Sequence, residues 1–260
     1  MSSVWDDDSF AQAWNDTYGL DMAKAPIRPG LIYPLIAESI GAATGLRLID
    51  FGCGNGNLIR HFKDHPFQHW LGLDGGSAIL KTALDLKEDD SRIDFARADL
   101  SAPLAKPLTG FDVATAIFVV EEIPVAGVQA FFNTIATSIK PETGRAHIFT
   151  QHPSYAFKED LLAAQASRPN TKFEGHQGYF DTAPTTYALS IMNDANNHPE
   201  RASYHHKPMS ALLNAISKAG LHTEVMGEIP SGVITLDSWR NHKPQCGDTP
   251  RFLYLQLERR

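Results

Sequence analysis

The chain is poor in several things, and each shortage removes a class of protein. It has only two cysteines, Cys53 and Cys246, so a disulfide framework is neither needed nor suggested, and a reducing cytoplasm is the simplest setting. No stretch approaches the roughly 18 uninterrupted apolar residues of a membrane span. The opening MSSVWDDDSF has three consecutive aspartates and no apolar run, unlike a secretory leader. No Lys/Arg cluster stands out and the formal net charge is −7, which argues against nucleic acid or an anionic membrane surface as partner, since either needs a basic footprint. There is no internal repeat, no low-complexity tract and no H-E-x-x-H or cysteine–histidine cluster, so no metal site is expected despite eleven histidines. What remains is an ordinary globular composition, 43% hydrophobic and 20% charged, with a small uncharged or cationic molecule as the expected ligand.

The middle of the chain alternates strand and helix patterns, the signature of a parallel sheet covered on both faces. Strands are expected at 46–51, 69–73, 92–97, 111–119 and 145–150. Helices are expected at 57–63, at 77–86, and where Val125, Val128, Phe131, Phe132, Ile135 and Ile139 recur before Pro141 and Gly144. From Gln151 to His206 aliphatics thin out, His, Asn, Pro and aromatics become common, and no regular period persists apart from a weak one at 159–166. A segment that long predicts a lid or binding loop. Regularity then returns. Pro208 opens a helix carrying Leu212, Leu213, Ile216 and Ala219 on one face, Gly220 stops it, and strands follow near 221–227 and 251–258. The last strand alternates in side-chain character as an antiparallel one does.

The informative stretch is Leu48-Ile-Asp-Phe-Gly-Cys-Gly-Asn-Gly-Asn57. A buried strand ends in an acid, glycines follow at 52, 54 and 56, and a helix begins. Glycines at the mouth of a parallel strand let the backbone turn sharply and let a ligand lie against bare main chain. A dinucleotide loop reads G-x-G-x-x-G and needs glycine at position 57, which is Asn57.

DFGCGNG resembles the first motif of the class I S-adenosylmethionine-dependent methyltransferases. Trp70-Leu-Gly-Leu-Asp74 resembles their second motif, Ile93 through Asp99-Leu100 the third, and Phe111-Asp-Val through Phe118-Val-Val-Glu-Glu122 the fourth. Tyr204-His-His-Lys207 with Ala219-Gly220-Leu221 resembles a late helix–strand step of small-molecule members. The likeness covers 45–150 closely and 204–230 weakly. It implies a single Rossmann-like domain over 1–260, doubly wound, with a seven-stranded mostly parallel sheet and an antiparallel last strand. The cofactor core would be 30–151 and 207–260, with a substrate-cover insertion at 152–206 and an N-terminal lid helix within 1–29.

The resemblance also implies S-adenosylmethionine as cofactor and S-adenosylhomocysteine as product. Its expected binding residues are Asp50, Gly52, Cys53, Gly54, Asn55, Gly56, Asp74, Gly75, Asp99, Leu100, Ile117 and Phe118, with Tyr18 and Arg28 closing from the N-terminal side together with Trp14. Asp74 is placed to accept both ribose hydroxyls, and Asp99 and Leu100 to read the adenine edge, with Leu73, Leu100 and Phe118 against the ring. The Gly52 and Gly54 amides and the following helix N-terminus suit the methionine carboxylate, and carbonyls near Ile117 suit the ammonium. Cys53 reads as a small filler within the loop. Where relatives often carry Glu-His, this chain has Glu121-Glu122.

Methyl transfer from a sulfonium needs alignment and exclusion of water more than acid–base help. His152 and Tyr155 are the candidate catalytic residues, with His205, His206 and Tyr179 in the acceptor pocket. The aromatics Tyr155, Phe157, Phe173, Tyr179, Phe180 and Tyr187 suit a compact polar-aromatic metabolite. Three alternatives stay open at the level of sequence: S-adenosylmethionine used for non-methyl chemistry such as cyclisation, a nicotinamide-dependent oxidoreductase, and a non-catalytic sensor.

Overall fold

A computed structural model describes residues 4–154, 171–174, 179–180, 185–189, 191–193, 196–198, 201–245 and 248–260. Side chains are described except at 17–18, 171–174, 185–189, 191–193, 196–198 and 201–204. Tyr155, Phe157, Cys246 and the weakly periodic 159–166 lie outside the described residues, as do the side chains of Tyr18, Phe173 and Tyr187.

The frame is a seven-stranded sheet. Five strands run parallel: β1 (Arg47–Phe51), β2 (His69–Asp74), β3 (Ile93–Arg97), β4 (Val113–Ile117) and β5 (Arg145–Gln151). Five short strands of the insertion come next in the chain, β6 (Thr171–Glu174), β7 (Thr185–Leu189), β8 (Ile191–Asn193), β9 (Asn196–His198) and β10 (Arg201–Tyr204). The sheet is completed by β11 (Leu221–Pro230) and β12 (Pro250–Arg259). β12 lies antiparallel between β5 and β11, giving the spatial order β3-β2-β1-β4-β5-β12-β11. This is the expected Rossmann-like doubly wound sheet with an antiparallel last strand. The direction of winding reverses between β1 and β4, which pair directly, so the carboxyl ends of those two strands flank the crevice where such folds take ligands.

The helices are α1 (Asp8–Trp14), α2 (Tyr33–Ile40), α3 (Asn57–His61), α4 (Ser77–Asp85), α5 (Val128–Ser138), α6 (Met209–Lys218) and α7 (Leu236–Arg240). Their apolar stripes explain their positions. Phe131, Phe132 and Ile135 of α5 and Leu212, Ala215 and Ile216 of α6 bury one face of the sheet, with Ile49, Ala116 and Ile148 opposite them. α2 and α3 cover the other face through Leu35, Ile36, Leu58 and Ile59 against Leu48, Trp70, Phe149 and Tyr254. Gly220 ends α6 with a left-handed backbone (φ +74°), as expected of a C-terminal stop.

Within the insertion, where no regular period persists in the sequence, the chain forms short strands. β6, β7 and β10 form a three-stranded antiparallel sheet in the order β10-β7-β6, and β8 and β9 form a separate hairpin. These strands are three to five residues long, too short for alternation to stand out, and they draw on Thr, Tyr, Phe and Arg in place of aliphatics. The β8–β9 hairpin lies against α1, and α1 in turn lies against α4. Two segments far apart in sequence therefore cover the same side of the molecule.

Candidate cofactor and acceptor site

β1 delivers Asp50 and Phe51 to the glycine loop, and the end of β2 delivers Asp74 beside it. The Gly52 and Cys53 amides both donate to Leu73 O, at 2.7 and 3.0 Å. Gly54 N donates to Asp74 Oδ2 and Gly76 N to Asp74 Oδ1, each at 2.8 Å. Asp74 thus locks two loops together, and each of its oxygens keeps lone-pair capacity for a further donor. Burial pushes its carboxyl up from the ordinary range, against the amides of Gly76, Gly54 and Gly75, which favour the charged form.

The loop needs glycine for two different reasons. At Gly52 (φ +71°) an added Cβ would fall 2.2 Å from Val119 Cγ2, so the loop after β4 approaches bare backbone. At Gly54 (φ +54°) a Cβ would meet nothing nearer than Ile79 at 3.9 Å, so the main chain there is uncovered and open to a ligand. Cys53 is buried with its Sγ directed at Gly72, and burial pushes its thiol well above the usual range. It is the filler that the sequence suggested.

One expectation needs correction. The Gly52 and Gly54 amides are spent on Leu73 O and Asp74, so they are not free to receive a carboxylate, and α3 has only five residues. The available cation is Arg28. It lies near enough to Asp50 and Tyr33 to influence both, and its guanidinium has no hydrogen-bond partner among the described residues. Asp50 is buried and accepts a 2.6 Å hydrogen bond from Thr115 Oγ1. Burial raises its carboxyl to about 7, with the Thr115 bond opposing, Asp74 adding to the rise and Arg28 opposing it.

Asn55 serves the cover in place of a direct ligand contact. Its buried amide donates to Asn15 Oδ1 (2.8 Å) and Gly19 O (2.9 Å), while Asn15 donates to Thr82 Oγ1 (3.0 Å). Asn57 also donates to Gly19 O, and Arg60 to Asn55 O. Further along, Asp6 accepts from Ser77 N, Ser77 Oγ and Arg97, and Arg97 Nε donates to Gly75 O. The N-terminal segment is therefore pinned over both the glycine loop and the turn after β2. Tyr18 sits in the helical turn Asn15–Gly19. Asp99 is exposed, with Oδ1 accepting from Ser101 N and Oγ, and Leu100 is buried beneath it. Phe118, just past Ile117, holds a left-handed backbone (φ +58°) that bulky residues rarely adopt. Its ring packs 5.4 Å from Phe252.

The ends of β4 and β5 form a second cluster. His152 is buried, with Nδ1 beside Ser154 Oγ (2.7 Å) and Nε2 beside Glu228 Oε1 (2.9 Å), so both ring nitrogens are occupied. Burial lowers its pKa against the opposing pull of Glu228. Of the adjacent histidines, His206 is buried with Nε2 on Tyr179 O at 2.7 Å, while His205 N donates to Glu121 O at 2.8 Å. Tyr179 also accepts from Met209 N through its hydroxyl, tying the insertion to the start of α6.

Sequence reasoning gave no role to a pair that the fold brings together. Glu121 and Lys207, both buried, line one cavity of about 20 Å³. Burial raises the Glu121 carboxyl and lowers the Lys207 ammonium to about 8, the latter against the pull of Glu121 and Glu122. No sequence signal marked the pair, since Lys207 follows Tyr204-His-His in a polar approach to α6. Among the described residues no group of three or more His, Cys, Asp or Glu side chains is placed to hold a metal ion.

The donor set suits an amino-acid adenosyl cofactor. A carboxylate held between two loops lies beside the open Gly54 backbone, and the buried Asp50 lies near enough to both Asp74 and Arg28 to feel each charge. Residues 49–145 match the family model described as a methyltransferase domain. That stretch, which holds the glycine loop, Asp74 and Asp99, is similar to a methyltransferase domain. Solved structures share its fold. A S-adenosylmethionine-dependent methyltransferase from Mesorhizobium loti is 23% identical, with a TM-score of 0.63 over 90% of this chain and 100% of that one. The PH0226 protein of Pyrococcus horikoshii OT3 is 13% identical, with a TM-score of 0.67 over 97% and 99%. The [4+2]-cyclase SpnF is 16% identical, with a TM-score of 0.55 over 88% and 79%. No curated protein matches the chain. Among the described residues no helix is long and apolar enough to cross a membrane.

Proposed function

We propose that the chain transfers the methyl group of S-adenosylmethionine to a small-molecule acceptor by in-line displacement. The observation that carries this reading is Asp74, held by the Gly54 and Gly76 amides against a glycine loop with exposed main chain. The cofactor supplies an activated methyl on a sulfonium; the protein supplies placement. Asp74 takes the ribose hydroxyls through its remaining lone pairs. Asp99 and the Leu100 backbone take the adenine edge, beside Phe118. Asp50 faces the ammonium and Arg28 the carboxylate of the amino-acid end, so each charge meets its opposite. The pinned N-terminal segment, with Tyr18 in its turn, excludes water from the loop.

The acceptor enters at the carboxyl ends of β4 and β5, under the insertion. A base is needed only where the acceptor loses a proton. His152 and Tyr155 are the proposed candidates, and for His152 this requires releasing Ser154 from Nδ1, the nitrogen not held by Glu228.

The same fold in a [4+2]-cyclase shows that architecture alone does not choose the reaction. Incubation with S-adenosylmethionine and a panel of small metabolites, read by mass spectrometry, decides it. Products heavier by one methylene with matching S-adenosylhomocysteine are expected. Release of methylthioadenosine, or no cofactor consumption with any acceptor, would refute methyl transfer.

A further inference from the structure

The cavity between the β4 and β5 ends has a composition unlike ordinary core. Lys207 Nζ donates to two carbonyls, Val120 O and His205 O, each at 2.7 Å. An ammonium has three N–H donors, so one has no partner among the described residues. Glu121 lines the same cavity and is steadied by Thr150, whose Oγ1 donates to its Oε2 at 2.8 Å. No ion pair joins Glu121 to Lys207, although both are buried along one wall. Gln151 belongs to the same lining, and its Oε1 is buried with no hydrogen-bond partner among the described residues. Buried polar groups in native proteins are satisfied as a rule, and unmet ones call for an explanation. Here an unmet donor and an unmet acceptor line the same space.

The size of that space limits what can answer them. About 20 Å³ holds one small polar group. Charge limits it further. A carboxylate entering would meet Glu121, and an ammonium would meet Lys207, each at close range in a buried setting. A hydroxyl is neutral, about one heavy atom in size, and both accepts and donates. Val120 and Leu212 on the same lining suit the hydrocarbon that carries it.

The geometry points to a subsite in which Lys207, Glu121 and Gln151 receive a neutral hydroxyl group of the acceptor, selecting hydroxylated molecules over their O-methylated or unsubstituted counterparts. Lys207 donates to the hydroxyl oxygen, and Gln151 Oε1 or Glu121 accepts its proton. This rests on the acceptor-side reading above but concerns binding, not the transfer step. The three residues are positioning and specificity residues, and the hydroxyl they hold need not be the atom that is methylated.

The test uses the full-length protein with phenol and anisole as matched probes, titrated by ligand-observed NMR in the presence and absence of S-adenosylhomocysteine. Wild type is expected to bind phenol at least about tenfold more tightly than anisole. Lys207→Met should bring the two within about twofold, and Gln151→Leu should reduce the preference at least about threefold. Lys207→Met also removes the bonds to Val120 and His205. Gln151→Leu removes an atom that has no partner, so it keeps the fold and serves as the second variant. Equal affinities in wild type, or an undiminished preference in either folded variant, contradict the subsite. S-adenosylhomocysteine affinity is measured on the same samples and should stay within about twofold of wild type in both variants. Absence of cofactor binding with the hydroxyl preference intact would sink the cofactor reading alone; cofactor binding without the preference would sink the subsite alone.

Discussion

Replacing Asp50 by Asn should change how the stability of this protein depends on pH. Burial raises the carboxyl from its ordinary 3.8 to about 7 in the folded state. The folded chain therefore holds a proton that the unfolded chain has released over that interval, and stability falls as pH rises. The contribution is fully present below about 3.8, is lost progressively up to about 7, and is flat beyond. Three pH units at about 1.4 kcal/mol each give an upper bound of about 4 kcal/mol, and relaxation around a buried group reduces this to a few kcal/mol. Asparagine keeps an acceptor for Thr115 and cannot ionise. Urea unfolding of both proteins at pH 4.5, 6 and 8 should show the variant gaining on wild type by about 1–3 kcal/mol across the series. Glu121 and Asp74 are also raised by burial, so some slope persists in the variant, and the difference between the two proteins is the quantity to read. Parallel pH profiles for the two would refute the reasoning. Because Asp50 faces the proposed ammonium site, cofactor binding near neutral pH should also release protons, detectable as a buffer-dependent binding enthalpy that Asp50→Asn abolishes.

Other substitutions probe separate parts of the account. Gly52→Ala puts a Cβ 2.2 Å from Val119 at a left-handed backbone position and should cost about 2–4 kcal/mol in chemical denaturation; a cost below about 0.5 kcal/mol contradicts the loop geometry. Asp74→Asn sets an amide donor against either the Gly54 or the Gly76 N–H and should weaken S-adenosylhomocysteine binding by about 10- to 100-fold in calorimetry. Asn15→Ala removes the bonds to Asn55 and Thr82, and amide exchange across 15–20 should accelerate about tenfold while exchange in β1 stays unchanged. His152→Ala frees Glu228 and Ser154 and should lower unfolding stability by about 1–2 kcal/mol.

The parallel core was legible because its strands are nearly continuous apolar runs ended by acids or glycine, as with Leu48-Ile-Asp-Phe and Leu71-Gly-Leu-Asp. The stripes on α4, α5 and α6 were equally plain. α2 escaped because Pro29, Gly30 and Pro34 read as breakers; in the fold Pro34 occupies the first turn, where its missing N–H costs nothing. The insertion's strands escaped because they are short and polar. Within the site, residue types at strand ends were readable, but hydrogen-bond partners were not. Nothing in DFGCGNG says that Leu73 O consumes two loop amides or that Asn55 turns to Asn15. That Glu121 and Lys207 line one cavity depends on bringing the end of β4 to the start of α6 across the whole insertion, which no local pattern encodes.

Titration of purified protein with S-adenosylhomocysteine by isothermal calorimetry bears most directly on the proposed cofactor cradle around Asp74 and Asp50. The account predicts saturable uptake of one molecule per chain and no heat from NAD or NADP under the same conditions. Binding of a nicotinamide dinucleotide, with none of the adenosyl compound, would contradict it.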